Sequence, residues 1–286
     1  MKVLVTGYSG QLGYDVVKCG NNRGLEMIGI SSRDLDIIDK QGVFQYVTEL
    51  EPDVIIHCAA YTAVDKAEDD KERCYDVNVN GTKYLAEAAK EIGSKFVYIS
   101  TDYVLNGQGN EPFKETDALN PVSYYAYTKH EGEVIVQSIL EDWFIVRISW
   151  VFGINGNNFI KTMLRLSESR DELNVVGDQF GSPTYTFDLS SLLIDMIQTE
   201  CYGIYHASNE GFCSWAEFAQ EIFKIANKSV KVNSISTEEY KTRAERPKNS
   251  RMSKQKLKDN GFDTLPTWKD ALVRYIAELY QEGEVN

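Results

Sequence analysis

Three side chains in this sequence have the types and spacing needed to hand a proton to an oxygen. Tyr125 and Lys129 stand four apart in Tyr125-Ala126-Tyr127-Thr128-Lys129. On a helix, residues four apart share one face. A free phenol titrates near about pH 10. A neighbouring ammonium favours the phenolate and brings that value toward working pH, which suits a general acid-base. Tyr124 and Tyr127 lack the four-residue spacing to Lys129, so Tyr125 is the predicted acid. Thr101 lies in Ser100-Thr101-Asp102-Tyr103, directly after the apolar run Phe96-Val97-Tyr98-Ile99. A hydroxyl at a strand end can donate to a carbonyl oxygen while charge develops there. With 17 tyrosines in the chain, a Tyr-x-x-x-Lys pattern arises easily by chance. Beside a dinucleotide, however, such a set suits carbonyl reduction by hydride transfer, with Lys129 also within reach of the nicotinamide ribose.

A dinucleotide turn stands at the start of the chain. Gly7-Tyr8-Ser9-Gly10-Gln11-Leu12-Gly13 follows a short β-branched run and precedes a helical stretch. Glycines there permit a tight turn and let backbone approach a pyrophosphate seated on the helix N-terminus. Gly7, Gly10, Gln11, Leu12 and Gly13 are the expected contacts. The second strand ends in Ile30-Ser31-Ser32-Arg33 with no acid at its tip. An acid there would hold the ribose 2′-OH of NAD, whereas an Arg accepts the 2′-phosphate of NADP. Arg33, beside Ser31, therefore favours NADPH with NADH tolerated; a solvated surface charge is the competing reading. Asp36 and Ile37 are expected at the adenine edge. Cys58-Ala59-Ala60-Tyr61 ends the third strand, and its small residues either admit the ligand or simply pack closely.

The elements that must position these groups alternate. Strands are expected at 2–6, 27–30, 54–58, 96–100 and 144–148, and helices at about 11–18, 44–50 and 80–92 with Gly93 as C-cap. That order predicts parallel βαβ units, an α/β fold with a doubly wound parallel (Rossmann) sheet. After Trp150 the loops lengthen. Ser214-Trp215-Ala216-Glu217 reads as a capping box opening a helix to about Ala226, a structural motif with no chemistry assigned to it. A last amphipathic helix is expected over 267–280. Residues 1–150 are read as the NAD(P)-binding domain. Residues 151–286 are read mainly as a smaller α/β substrate-binding lobe, with some segments returning to the first sheet.

Composition narrows the partners. With 286 residues, 43% of them hydrophobic and 26% charged, the chain can bury a large core as a soluble protein. A net charge of −13 argues against nucleic acid or an anionic membrane. Cys19, Cys58, Cys74, Cys201 and Cys213 are scattered and form no C-x-x-C pair, which suggests reduced thiols in the cytoplasm. The opening Met1-Lys2-Val3-Leu4-Val5 enters a strand at once, which predicts no secretory leader. No apolar run nears the roughly 18 residues that cross a membrane. His57, His130 and His206 have no metal-ligand spacing.

These segments resemble the extended short-chain dehydrogenase/reductase superfamily and, within it, the dTDP-4-dehydrorhamnose reductase family. The likeness runs through Gly7–Gly13, Cys58–Glu68, Ile99–Val104, Asn120-Pro121, Tyr125 and Lys129, and Arg147–Trp150. It continues in Asn157-Asn158-Phe159, Gly181-Ser182-Pro183-Thr184 and Arg246-Pro247. Related 4,6-dehydratases resemble the pattern Thr-Asp-Glu where this chain has Thr101-Asp102-Tyr103, so Tyr103 points to simple reduction at C4. The resemblance implies NADPH-dependent reduction of the C4 keto group of dTDP-4-dehydro-L-rhamnose to dTDP-L-rhamnose. Tyr125 would protonate, Lys129 would tune it and Thr101 would orient the carbonyl. Asp102, Tyr103, Trp150 and Asn158 would meet the sugar, and Arg246 in the basic tract 241–258 would meet the diphosphate. Family members linked as dimers by Mg²⁺ use an acid early in the first helix and two adjacent acids later. Asp15 matches the first, but only Asp188, preceded by Phe187, stands at the second, so no metal is expected. Monomer and homodimer both stay open. Another nucleotide-sugar reductase or epimerase is the alternative within the fold. A silent regulatory subunit of the methionine adenosyltransferase type is the alternative outside enzymes; intact Thr101, Tyr125 and Lys129 argue against it.

Overall fold

A computed structural model describes residues 1–284; the last two residues of the 151–286 lobe lie outside it. The chain begins β1 (Lys2–Thr6), α1 (Gln11–Asn22), β2 (Glu26–Ile30), α2 (Lys40–Leu50) and β3 (Val54–His57). Short helices α3 (Val64–Ala67) and α4 (Lys71–Tyr75) lead to α5 (Thr82–Ile92), β4 (Lys95–Thr101), α6 (Tyr124–Ile139) and β5 (Trp143–Ile148). Next come β6 (Val151–Phe152), α7 (Phe159–Ser167), β7 (Glu172–Val176), β8 (Phe180–Gly181), β9 (Thr184–Tyr185), α8 (Thr186–Met196) and β10 (Gly203–His206). The chain finishes with β11 (Cys213–Ser214), α9 (Trp215–Ile225), β12 (Lys231–Ile235), α10 (Gln255–Asp259) and α11 (Trp268–Gln281).

Six parallel strands form the central sheet in the order β10-β5-β4-β3-β1-β2. This is the doubly wound sheet expected from the alternation. Strand side chains point alternately to opposite faces, and both faces are buried. Val5, Ile56, Val97 and Val146 pack on one side with α1 and α8. Leu4, Ile55, Phe96 and Ile145 pack on the other with α2, α5 and α6. Strands buried on both faces must be apolar throughout, which is why they read as continuous runs. Strand β10, from the second half of the sequence, completes the sheet beside β5. A separate cluster built on Phe152, Phe218, Trp268 and Tyr275 forms the core of the second lobe.

Two local outcomes bear on the site. The helix expected over 80–92 divides into a π-helical segment, Asp76–Gly81, and α5. The wide turn aims Asn78 inward, where its Oδ1 accepts from Tyr61 N (2.8 Å) and its Nδ2 donates to Thr128 Oγ1 (3.0 Å). Such bulges form where tertiary contacts repay the lost helical bonds. Gly93 takes the left-handed C-cap conformation, at φ 69°. The capping box is present: Ser214 N donates to Glu217 Oε2 (2.7 Å) and Glu217 N to Ser214 Oγ (3.1 Å). Among the described residues no helix is long and apolar enough to cross a membrane.

Candidate active site

A cleft of ≈ 660 Å³ runs along the carboxyl ends of β1, β3, β4 and β5, where open α/β sheets bind ligands. At its floor Gly7 adopts φ +72°, and an added Cβ would come within 2.7 Å of Ala59 N. A Cβ on Gly13 would collide with the Gly7 carbonyl. Helix α1 starts after Gly10 with no side-chain cap, so its first N–H groups are free to meet an anion. A glycine cradle beneath an uncapped helix start fits a dinucleotide pyrophosphate.

Most residues expected from the sequence line this one cleft: Gly7, Gly10, Gln11, Leu12, Gly13, Ser31, Asp36, Ile37, Ala59 and Ala60 at the cofactor end. Thr101, Asp102, Tyr103, Tyr125, Lys129 and Trp150 line it at the chemical end. Four stand elsewhere. Arg33 is exposed outside the cleft, in a turn that the Asp34 carboxylate closes by accepting from Ser31 N and Oγ (both 2.8 Å). Tyr61 points away and donates its hydroxyl to Asp70 (3.1 Å). Asn158 caps α7 and ties the lobes together: its Nδ2 donates to Gln11 Oε1 (3.1 Å) and to Tyr275 Oη (2.8 Å). Arg246 lines a second cavity of ≈ 630 Å³. It reaches back through Nη1 to the Tyr103 hydroxyl (3.4 Å) and holds Asp65 Oδ2 through Nη2 (2.6 Å).

Among the cleft residues not assigned from the sequence, three matter most here. Trp215, inside the capping box, stacks on Trp150 with ring centroids 3.6 Å apart, so that motif contributes a wall as well as a helix start. Trp150 itself sits at φ 49°, a conformation costly for a non-glycine residue. Arg73 of α4 lines the cleft, with its Nη2 3.9 Å from Asp36 Oδ2. Asn155, in the same loop as Gly156, covers the turn before α1, its Nδ2 donating to Ser9 O (2.9 Å) and Gly10 O (3.3 Å). Only the Asn and Gly clustering signalled the last of these.

The chemical groups converge from two elements. Ser123 caps α6, accepting from Ala126 N (3.3 Å), and sets Tyr125 in the first turn. Thr101 ends β4; its hydroxyl accepts from Tyr103 N (3.3 Å), donates to Asp102 Oδ1 (3.0 Å) and lies beside Tyr125. Lys129 follows one turn after Tyr125, its Nζ 4.0 Å from the Tyr98 ring centroid. The expected lowering of the Tyr125 phenol does not occur. Burial raises it well above the ordinary value, with the Thr101 bond offsetting only part. Burial brings the Lys129 ammonium down to about 7, and nearby Glu133 opposes the fall. Burial also lifts the Asp102 carboxyl to about 6, with Ser250 and Thr101 opposing the rise. The arrangement therefore brings a protonated phenol, a hydroxyl and a lysine amine to the same end of the cleft.

A family described as RmlD substrate binding domain matches residues 1–281. The chain belongs to this family. A dTDP-4-dehydrorhamnose reductase of Aggregatibacter actinomycetemcomitans is 41% identical over 293 residues, covering 97% of this chain and 99% of that one. A dTDP-4-dehydrorhamnose reductase structure from Clostridium acetobutylicum superposes with TM-score 0.96 at 42% identity, over 98% of this chain and 100% of that one. One from Bacillus anthracis, solved in complex with NADP, gives 0.95 at 44% identity, over 97% and 100%. The resemblance carried by the motifs is borne out, and the chain is an oxidoreductase of the dTDP-4-dehydrorhamnose reductase family. In this member Asp15 is buried, accepts from Thr186 Oγ1 (2.5 Å) and is raised to about 6 by that burial. Asp188 is clamped by Arg274 Nη1 and Nη2 at 2.8 and 2.7 Å. Among the described residues no three His, Cys, Asp or Glu side chains gather to hold a metal.

Proposed function

We propose that this chain reduces the C4 keto group of dTDP-4-dehydro-L-rhamnose to give dTDP-L-rhamnose, with NADPH as hydride donor. The observation that carries this reading is the convergence of Thr101, Tyr125 and Lys129 in the cleft that begins at the Gly7–Gly13 turn. Bound NADPH supplies a hydride to C4. Thr101 donates to the carbonyl oxygen and holds it toward Tyr125. Tyr125 delivers the proton to the oxygen as negative charge grows there. A phenol held above its usual value stays protonated across physiological pH, the form that reduction needs. Lys129 stabilises the phenolate left behind. Asp102 and Tyr103, with the Trp150 and Trp215 stack, shape the sugar pocket. Arg246, held in place by Tyr103 and Asp65, is assigned to the diphosphate. We assign the substrate lobe mainly to residues after 150.

Purified protein incubated with dTDP-4-dehydro-L-rhamnose should consume NADPH and yield dTDP-L-rhamnose. Unchanged NADPH absorbance with this and other 4-keto nucleotide sugars would sink the reading. For the 2′-phosphate we assign Arg73 in place of Arg33, because Arg73 lines the cleft. Loss of one charge-assisted contact costs roughly 1.5–3 kcal/mol, so Arg73→Ala should weaken NADPH by about tenfold or more and NADH little. Arg33→Ala should leave both near wild type. Equal losses for the two cofactors in Arg73→Ala, read as Kd by fluorescence titration, would remove Arg73 from this role.

A further inference from the structure

Behind the cleft, a buried ion pair joins the helix of Tyr125 and Lys129 to the two strands beneath it. Glu133 of α6 is 0% exposed and Arg147 of β5 is 1% exposed. They bond in bidentate fashion, Arg147 Nε to Glu133 Oε1 (2.9 Å) and Nη2 to Oε2 (2.7 Å). Ser100 Oγ of β4 donates to the same carboxylate (2.5 Å). Ser100 is the neighbour of Thr101 and is paired across the sheet with Arg147. Tyr125, Lys129 and Glu133 fall at i, i+4 and i+8, on one face of α6. A buried pair of this kind contributes little to stability over well-packed apolar residues. Stability alone therefore gives no strong reason for placing it one turn beyond Lys129.

We propose that Glu133, held by Arg147 and Ser100, is a positioning residue for the reaction. Its carboxylate keeps the Lys129 ammonium charged inside the protein and locks α6 so that Tyr125 meets Thr101. The proposal rests on the roles assigned above to Tyr125 and Lys129. Of the groups acting on Lys129, Glu133, one turn further along the same face of α6, is the carboxylate. His57 and Cys58 at the end of β3 stay neutral, burial pulling the imidazole down to about 3 and pushing the thiol up to about 12. Cys74 of α4 is likewise a thiol raised by burial. Tyr98 of β4 offers a ring face, its phenol pushed far up by burial. Asp102 acts on Tyr125, and Glu133 on Lys129. Arg147 faces Glu133 and also meets the Glu115 carbonyl (3.5 Å) and His206 Nε2 (3.4 Å). His206 is held neutral at about 3 by burial.

The test is the pH profile of kcat and kcat/KM for the full chain with NADPH and the 4-keto nucleotide sugar. Glu133→Gln keeps the shape and an acceptor for Ser100 but removes the negative charge. Lys129 then loses its proton at lower pH, so the alkaline limb should move down by about one unit or more. Arg147→Gln leaves Glu133 uncompensated and should move the same limb up. Limbs that stay at the wild-type pH in the folded variants, with only Tm lowered, would make the pair purely structural and overturn the proposal. Should one variant fail to fold, the other decides the charge effect. Ser100→Ala keeps both charges and removes one hydrogen bond; it should lower kcat without moving the limb, and an unchanged kcat would overturn the locking role. Lys129→Met separates the two levels of argument. Near-normal turnover in Lys129→Met would refute the role assigned to Lys129. A loss there with an unmoved limb in Glu133→Gln would refute only the role of Glu133.

Discussion

Tyr125→Phe should lower kcat by about 10²–10⁴-fold, the usual range for a removed general acid, while NADPH affinity stays near wild type. The substitution takes away one hydroxyl and keeps the ring. The ring is largely buried and meets Tyr103 edge-on, with centroids 6.0 Å apart. Its packing survives, so the loss should report proton transfer rather than unfolding. Thr101 stays in place, and its single O–H, given to Asp102 in the free enzyme, would turn to the carbonyl oxygen when substrate binds. Steady-state turnover beside a fluorescence titration of NADPH separates the two effects. Turnover within about twofold of wild type would show that another group donates the proton, since removing a true general acid costs far more.

The second large effect is expected at Gly13. A Cβ there would run into the Gly7 carbonyl oxygen and come within 2.8 Å of the Gly7 carbon, both backbone atoms. Neither can move without opening the turn that carries the helix start. Overpacking of this kind costs typically 1–3 kcal/mol, and most of it should fall on cofactor binding, because the displaced atoms form the pyrophosphate cradle. Gly13→Ala should therefore weaken NADPH by roughly 10–100-fold, at about 1.4 kcal/mol per tenfold. Gly10→Ala provides the contrast. Its Cβ would lie 3.3 Å from Gly7 O alone, a contact that a small shift relieves. Equal Kd values for Gly13→Ala and wild type would refute the cradle.

The parts of the fold that depend on neighbours in the chain were legible. Alternating apolar runs and helical faces marked the strands β1 to β5 and the helices α1, α2 and α5. Gly93 and the Ser214–Glu217 box marked ends correctly because a cap is a bond between residues three or four apart. The division of the 80–92 helix was not legible, because the π turn depends on what Asn78 meets: Tyr61, 17 positions away, and Thr128, 50 away. Strand β10 was likewise hidden, since four residues become a strand only by pairing with β5.

The site divides the same way. The order of strand, glycine turn and helix, the Thr101 strand end and the four-residue step from Tyr125 to Lys129 are properties of sequence, and they sufficed to indicate a dinucleotide-dependent reduction. Tertiary structure alone placed Arg73 of α4 on the cleft and left Arg33 exposed in a tight loop. It brought Trp215 against Trp150, 65 positions apart, and made Asn158 a tie between the lobes rather than a pocket residue. It also reversed the expected titration of Tyr125. Spacing to Lys129 can be counted along the chain, but the burial that raises the phenol and lowers the ammonium comes from elements packed around them. Desolvation is a property of the whole surrounding volume, and no local run of residues encodes it.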